Sequence, residues 1–284
     1  MKLGFIFVLL AGTGFGFLGI FGRLAFQSGL SVGELLTFRF ALASFILIAG
    51  LALIKPKLLL MPLKQVLISA ALGIFGYAVF STLYFKSIEG ISVPLAALLL
   101  FTFPIFVNLG SHFILKERMS RIQVISLAIA SLGLGILLWG PLVVNSLAAV
   151  LYALLAAVTY SVYVLLSGKL QKNVPPITSS LYVIISATAA LFLFHQPDFS
   201  KVADLTTAQI LIISGIAVVS TIGPLTLFLA GLQHLPNNKA SIVVMIEPVV
   251  AAGAASLLLG ENLSAVQMLG ALLVMISLAV NAVS

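Results

Sequence analysis

The segment Pro104–Gln123, PIFVNLGSHFILKERMSRIQ, recurs in pattern as Pro248–Gln267, PVVAAGAASLLLGENLSAVQ. At a shift of 144 residues a proline, a glutamate, a serine and a glutamine coincide, and an upstream alanine keeps the same register. In each copy this order predicts a proline inside a helix, then a short loop, then a serine that caps the next helix. The chain therefore contains two copies of one structural unit. The matched pairs are Pro104 and Pro248, Glu117 and Glu261, Ser120 and Ser264, Gln123 and Gln267, and Ala96 and Ala240.

Ten long apolar runs fill the chain around this repeat. The sequence is 62% hydrophobic and only 7% charged, far from the balance of soluble proteins. Most runs have the ~20 residues that a helix needs to cross the bilayer. They are apolar on all sides, which favours helices over the alternating strands of a barrel. The sequence predicts an all-α membrane protein with transmembrane helices at 3–22, 32–54, 64–86, 92–115, 120–139, 146–168, 176–196, 206–230, 237–259 and 264–282.

The two units must have opposite orientations in the membrane. Each holds five helices, an odd number, so the unit over residues 143–284 enters the bilayer upside down relative to the unit over 1–142. Lysine and arginine set the overall orientation, because they accumulate in cytoplasmic loops. Ten lie on the side of the N-terminus and three on the other side, which predicts that both termini are cytoplasmic. The ten are Lys2, Lys55, Lys57, Lys64, Lys116, Arg118, Arg121, Lys169, Lys172 and Lys239; the three are Arg23, Lys86 and Lys201.

Inverted repeats are typical of secondary transporters, which bind their substrates near the midplane between the two halves. The repeat is therefore the strongest indication of function that the residues give by themselves. It predicts a transporter with a small-molecule substrate and the lipid bilayer as partners.

The sequence also resembles a known family. The residues that carry the resemblance are Phe38-Arg39-Phe40, Leu115-Lys116-Glu117, Glu247-Pro248-Val249-Val250 and Leu259-Gly260-Glu261 with Ser264. They resemble the EamA-type ten-helix permeases of the drug/metabolite transporter superfamily over the whole chain. The resemblance implies a central cavity lined mostly by helices 1, 3, 4, 6, 8 and 9, with helices 5 and 10 packed outside, where a homodimer could form. It also implies small-metabolite transport by alternating access, often amino-acid export, in a bacterial inner membrane.

Glu247 lies near the middle of the ninth run, ~15 Å along the helix from either face. Ionisable groups at this depth are expensive and usually functional. Glu247 is a candidate to take up a coupling proton or to bind a substrate ammonium group. The alternative is a neutral or hydrogen-bonded carboxyl that braces neighbouring helices.

Arg39 lies ~6 Å from the bilayer centre in the second run. It could pair with Glu247, bind a substrate carboxylate, extend to the headgroups, or be held by backbone carbonyls. Side chains lean toward the N-terminus of their own helix, and the two helices run in opposite directions. The two charged groups therefore tend to point apart, which favours the carbonyl-held arrangement over a direct ion pair.

Several uncharged side chains lie at a depth where they could contact a substrate. A buried hydroxyl needs a polar partner, so aromatic and hydroxyl side chains near mid-membrane could line a cavity, although packing alone also explains them. Prolines in mid-helix remove a hydrogen bond and could bend or gate the helix, or be tolerated as simple kinks. The candidate lining residues are Tyr77, Ser81, Thr102, Asn108, Tyr160, Tyr163 and Thr221; the candidate kinks are Pro104, Pro224 and Pro248.

Other functional classes find less support. The chain has no cysteine, and His112, His195 and His234 form no metal-binding spacing. It carries no phosphate loop for ATP and no hydrolase motif. We expect no cofactor, no metal, no catalytic residue and no nucleic-acid partner. The alternatives left are a sugar-phosphate or nucleotide-sugar carrier and, in another class, an intramembrane enzyme or a scaffold that transports nothing.

Overall fold

A computed structural model describes residues 2–117, 119–140, 143–260 and 262–283, without the side chains of Phe199 and Lys201. Three residues used above lie outside this part of the chain: Arg118, Glu261 of the second motif copy, and Leu142 at the predicted boundary between the units.

The described part of the chain is built from ten apolar helices. Nine of them are long enough to cross a membrane, and the fifth is 17 residues long. Every predicted helix is present, and most ends lie within three residues of the predicted ones. The helices are α1 (Lys2–Gln27), α2 (Val32–Ile54), α3 (Leu63–Ile88), α4 (Val93–Phe113), α5 (Arg121–Leu137), α6 (Leu147–Leu170), α7 (Pro176–His195), α8 (Thr207–Leu232), α9 (Asn237–Leu259) and α10 (Ala265–Ala282).

The largest difference from the predicted ends is in α1. A break at Phe17 separates Lys2–Gly16 from Leu18–Gln27, and the helix stops only where Gly29 adopts a left-handed conformation. Arg23, which we assigned to a loop, is therefore a helical residue. An arginine one turn from the helix end was misassigned because the flanking apolar run stops at Gly22.

The two copies of the repeat begin their last helices in the same way. The Ser120 hydroxyl oxygen accepts a hydrogen bond from the backbone N–H of Gln123 at 3.2 Å. In return, the Gln123 side-chain oxygen accepts one from the backbone N–H of Ser120 at 2.8 Å. Ser264 and Gln267 form the same reciprocal pair of hydrogen bonds, at 3.2 Å from the Gln267 backbone N–H and at 3.0 Å from the Ser264 backbone N–H. The two capping serines predicted from the repeat are confirmed.

Irregular segments also recur at the shift of 144 residues. In α4 the helix is interrupted between Leu100 and Phe103, and in α9 by a 3-10 turn over Val244–Ile246. Helices α3 and α8 contain π-helical segments at Leu72–Ala78 and Val218–Ile222. The regular helical hydrogen bonding is thus interrupted at equivalent depths in the two repeats.

Helices α5 and α10 form a closely packed pair. A side chain at Gly133 would lie 2.9 Å from the carbonyl oxygen of Gly270, while the Ser277 hydroxyl donates to the Ser126 carbonyl at 2.6 Å. At the shift of 144 residues, Gly133 corresponds to Ser277 and Ser126 corresponds to Gly270. The two contacts are therefore equivalent under the two-fold symmetry that relates the repeats. Apart from each other, the two helices contact mainly the first part of α9, which places them at the edge of the bundle.

The burial of α9 changes along its length. We call the face at which α1 begins the termini face, and the other the opposite face. Helix α9 starts at the termini face, where all residues of Asn237–Val243 and Val244–Ile246 are buried. Within Glu247–Leu259 only Pro248 and Ala254 are buried, and this part packs mainly on α1. Helix α9 is thus fully buried toward the termini face and more exposed toward the opposite face.

Candidate functional site

Six rings from four helices meet near mid-membrane, and we call this group the aromatic cluster. Tyr77 lies at the centre, with ring centroids 5.4 to 5.5 Å from those of its nearest aromatic neighbours, all nearly perpendicular to it. Tyr160 stacks on Tyr163 at 6.0 Å with an angle of 12°. Tyr160 also contacts two phenylalanines at 4.7 Å. The members are Phe40 of α2, Tyr77 and Phe80 of α3, Phe103 of α4, and Tyr160 and Tyr163 of α6.

Glycine and the π-helical turn explain how α3 brings Tyr77 into this group. A Cβ at Gly76 would lie 2.9 Å from the Tyr163 ring, and one at Gly73 would lie 2.4 Å from the Val183 carbonyl oxygen. Helix α3 can therefore approach α6 and α7 closely only because these two positions lack side chains. The widened turn over Leu72–Ala78 adds a residue to the helix just before the cluster.

Arg39 lies beside the aromatic cluster and is almost completely buried, with 3% of its surface exposed. Its guanidinium carbon is 4.7 Å from the centroid of the Phe40 ring, within the range of a cation–π contact. Its Nε and Nη1 atoms are buried and have no hydrogen-bond partner. The hypothesis that backbone carbonyls hold the guanidinium therefore finds no support at these two atoms, which remain available to a ligand.

Glu247 is the first residue of the second part of α9 and is partly buried. It lies within electrostatic range of Tyr77, Tyr84 and Tyr160, and the first and last of these belong to the aromatic cluster. The 3-10 turn before it and Pro248 after it fix this position at the break in the helix. The carboxyl is thus at the place where the tightly packed part of α9 gives way to the loosely packed part.

Arg39 and Glu247 share Tyr77 as an electrostatic neighbour, although no ion pair joins them in the described structure. A site with a cationic group, an aromatic wall and an anionic group can bind a ligand that carries both charges and an apolar part. The two protein charges would then be neutralised by the ligand, which offsets the cost of burying them.

Unpartnered hydroxyls surround the same region. Ser81 is 2% exposed and Thr37 is 1% exposed, and neither hydroxyl has a hydrogen-bond partner. The phenolic oxygen of Tyr163 is also buried without one. Because buried polar atoms are normally satisfied, these three are candidates to contact a polar ligand.

Three of the candidate lining residues donate hydrogen bonds to nearby groups and are not part of the cluster, although the Oδ1 atom of Asn108 is buried without a partner. Thr102 donates to the Leu99 carbonyl at 2.6 Å, and Thr221 donates to the Ile216 carbonyl at 2.9 Å. Asn108 donates to the Pro104 carbonyl at 2.6 Å and contacts Ser241 at 3.4 Å, toward the termini face. Their hydrogen bonds stabilise the irregular segments and the contact between α4 and α9.

The three candidate kink prolines occupy the same kind of position. Pro104, Pro224 and Pro248 each lie in the first turn of the helical segment that follows an irregular stretch. A missing N–H costs nothing there, because the first turn has no helical acceptor. The prolines therefore divide α4, α8 and α9 into two segments each.

Sequence reasoning missed part of this site. Phe80, Phe103 and Tyr84 were not proposed as lining residues, and Tyr84 lies within electrostatic range of Glu247. Lys239 lies in the first turn of α9, within the predicted helix, and is 4% exposed.

The comparison with known proteins decides the family. The model of the EamA-like transporter family matches residues 2–139 and again 147–283. The chain belongs to this family. The resemblance to EamA-type permeases of the drug/metabolite transporter superfamily is thereby confirmed, and the protein is an integral membrane transporter in which the family's domain occurs twice.

Relatives and a solved structure agree with this assignment. An uncharacterized transporter of Clostridium kluyveri is 25% identical over 294 residues, which cover 99% of this chain and 93% of that protein. The uncharacterized transporter YcbK of Bacillus subtilis is 26% identical, with 94% of this chain and 88% of that protein covered. One crystal structure matches with a TM-score of 0.82 at 16% identity, covering 100% of this chain and 97% of the other, and it shows the likeness of fold.

Proposed function

We propose that this EamA-family protein is a secondary transporter of amino acids or related zwitterionic metabolites, and that it exports them by alternating access. The observation that carries the proposal is the buried guanidinium of Arg39, which lies 4.7 Å from the Phe40 ring centroid and has two unpartnered donor atoms. Tyr77 of the aromatic cluster has both this guanidinium and the Glu247 carboxyl within electrostatic range.

An amino acid carries both charges that such a site can neutralise. Its carboxylate would accept hydrogen bonds from the Nε and Nη1 atoms of Arg39, which have no other partner. Its ammonium group would lie near Glu247 and its side chain against the aromatic cluster. Bound substrate would thus supply the partners that the buried Arg39 guanidinium lacks at Nε and Nη1.

The change in burial along α9 supports an access route. The part of α9 beyond Glu247 packs mainly on α1, so substrate would reach the site from the opposite face. We propose that the repeats then close there and open toward the termini face. With cytoplasmic termini, as the distribution of lysine and arginine predicts, the state described would be open to the outside.

Glu247 is also our proposed coupling group. A carboxyl that holds the substrate ammonium in one half of the cycle and a proton in the other links the two fluxes. Inward movement of protons would then drive outward movement of substrate through the same site.

The test is counterflow in proteoliposomes with a panel of amino acids, amines, sugars and sugar phosphates. We expect exchange of amino acids, with rates lowered about tenfold or more in Glu247→Gln and in Arg39→Gln, the effect of ~1.4 kcal/mol. Matched controls are Asp204→Asn and Arg121→Gln, which remove a carboxylate and a guanidinium outside the site.

Exchange of sugar phosphates without amino acids would contradict the proposed substrate class and favour the sugar-phosphate carrier. No exchange of any solute by a folded protein would contradict transport at this site.

A further inference from the structure

A second groove lies apart from the aromatic cluster, at the opposite membrane face. It has a volume of about 340 Å³ and is formed where α3 and α7 end and α6 begins. Its walls include Thr82, Leu83, Lys86, Tyr152, Phe194 and His195. We call it the α3–α7 groove.

The α3–α7 groove combines a polar end with an apolar wall. At the polar end Lys86 is exposed, and the Nε2 atom of His195 is 3.2 Å from the hydroxyl oxygen of Thr82. The apolar wall contains Leu83, one turn deeper in the membrane than Lys86, and Phe194, which is 50% exposed. The polar groups of the groove thus lie nearer the membrane surface and its apolar groups lie deeper, as the headgroup and the acyl chains of a phospholipid do.

Two opposite charges act on the polar end. His195 interacts electrostatically with both Lys86 and Glu89. Glu89 follows Lys86 by three residues and is the C-cap of α3 in a helical conformation, so the two side chains lie on the same side of the helix end. A ligand with a negative charge alone would be attracted by Lys86 and repelled by Glu89. A headgroup with a phosphate and a primary ammonium group matches both.

We infer that the α3–α7 groove binds one molecule of phosphatidylethanolamine from the surrounding leaflet. Lys86 and His195 contact the phosphate, and Glu89 accepts hydrogen bonds from the ammonium group. One acyl chain lies along Leu83 and Phe194, and Tyr152, which is 37% exposed, borders the headgroup at the depth where tyrosine is favoured. The lipid thereby connects the ends of α3 and α7.

The choice of phosphatidylethanolamine rests on the ammonium group. Phosphatidylcholine carries the same two charges but has no N–H to donate to Glu89. Phosphatidylglycerol has the phosphate without the ammonium group. Comparison of the three lipids with identical acyl chains therefore separates the contribution of Glu89 from that of Lys86.

Native mass spectrometry of the detergent-purified protein, titrated with each lipid, tests the inference. We expect one tightly bound phosphatidylethanolamine and weaker binding of the other two lipids. Lys86→Gln should weaken phosphatidylethanolamine binding about fivefold, the effect of one cation at a membrane surface. Glu89→Gln should remove the preference for phosphatidylethanolamine over phosphatidylcholine. Lys172→Gln, an exposed lysine at the termini face, should leave both affinities unchanged.

Other outcomes would overturn the inference. Equal binding of phosphatidylcholine and phosphatidylethanolamine by the wild-type protein contradicts it, as does tighter binding of phosphatidylglycerol. Glycerophosphoethanolamine, the headgroup without acyl chains, serves as a further probe, and binding as tight as that of the whole lipid would exclude the acyl contact. If Lys86→Gln does not purify, His195→Gln should show the same weakening, and unchanged affinity there contradicts the phosphate contact.

Discussion

Ser44 and Thr188 occupy the same position in the two repeats and hydrogen-bond to each other, with their hydroxyl oxygens 3.0 Å apart. Residues exchanged by the shift of 144 can touch only where the symmetry axis passes between them. The axis therefore crosses the contact of α2 with α7 near the middle of both helices. The same axis also passes between α5 and α10. On one side of it Gly133 contacts Gly270, and on the other side Ser277 contacts Ser126.

The contact on the axis predicts a cross-link. The natural chain has no cysteine, so Ser44→Cys with Thr188→Cys introduces its only two thiols. We expect a disulfide to form on mild oxidation, because the two side-chain oxygens are already in contact, and loss of thiol labelling measures it. The control pair is Ser44→Cys with Ser186→Cys. Ser186 packs against α3 at Gly73, and its thiol should remain free to label. Equal loss of labelling in both pairs would contradict this position of the axis.

The separation of Arg39 from Glu247 predicts the outcome of a charge swap. The double variant Arg39→Glu with Glu247→Arg should transport no better than either single variant. The reason is that the two groups act on a ligand through different ends and do not form an ion pair in the described structure. Counterflow rates of the wild-type, single and double variants measure the coupling between the two positions. Recovery of transport in the double variant would show that a direct pair exists in some state of the cycle.

Close approach at Gly73 predicts a loss of stability on substitution. A Cβ there would lie 2.4 Å from the Val183 carbonyl oxygen, so Gly73→Ala must push α3 away from α7. We expect a loss of ~1–3 kcal/mol, the usual cost of overpacking, and a lower midpoint of thermal unfolding. Gly135→Ala is the matched control, since a Cβ at Gly135 meets nothing within 4 Å. A similar midpoint for both variants would mean that the contact relaxes without cost.

The fold could be predicted from particular residues because each acts locally. Ser120 and Ser264 begin their helices wherever the rest of the chain lies, and the prolines at 104 and 248 end one helical segment in any surroundings. The depth of Tyr77, Tyr160 and Tyr163 also follows from position along a helix. The three tyrosines were predicted near mid-membrane, and the ring centroid of Tyr163 is 5.5 Å from that of Tyr77 and 6.0 Å from that of Tyr160.

Contacts between helices could not be predicted in the same way. Phe80 and Phe103 lie among other apolar side chains on helices that are apolar on all sides, so no polar stripe indicates which way they face. The π-helical turn at Leu72–Ala78 rotates everything after it in α3, including Phe80 and Tyr84, and no residue type marks such a turn. Arg39 was expected to find carbonyl partners because buried donors usually do, and its Nε and Nη1 atoms do not.

The two copies of the repeat differ at one position where the backbone is the same, and this difference yields the last prediction. Lys116 has a φ of 56° and its counterpart Gly260 has a φ of 70°. The left-handed conformation costs a residue with a side chain ~1–2 kcal/mol, whereas glycine adopts it freely. Lys116→Gly should therefore raise the free energy of unfolding by about 1 kcal/mol, visible as a higher midpoint of thermal unfolding. Lys116→Ala also removes the positive charge but keeps a Cβ, so it should give no gain. If alanine stabilises as much as glycine does, the lysine charge rather than the backbone conformation is the source of the effect.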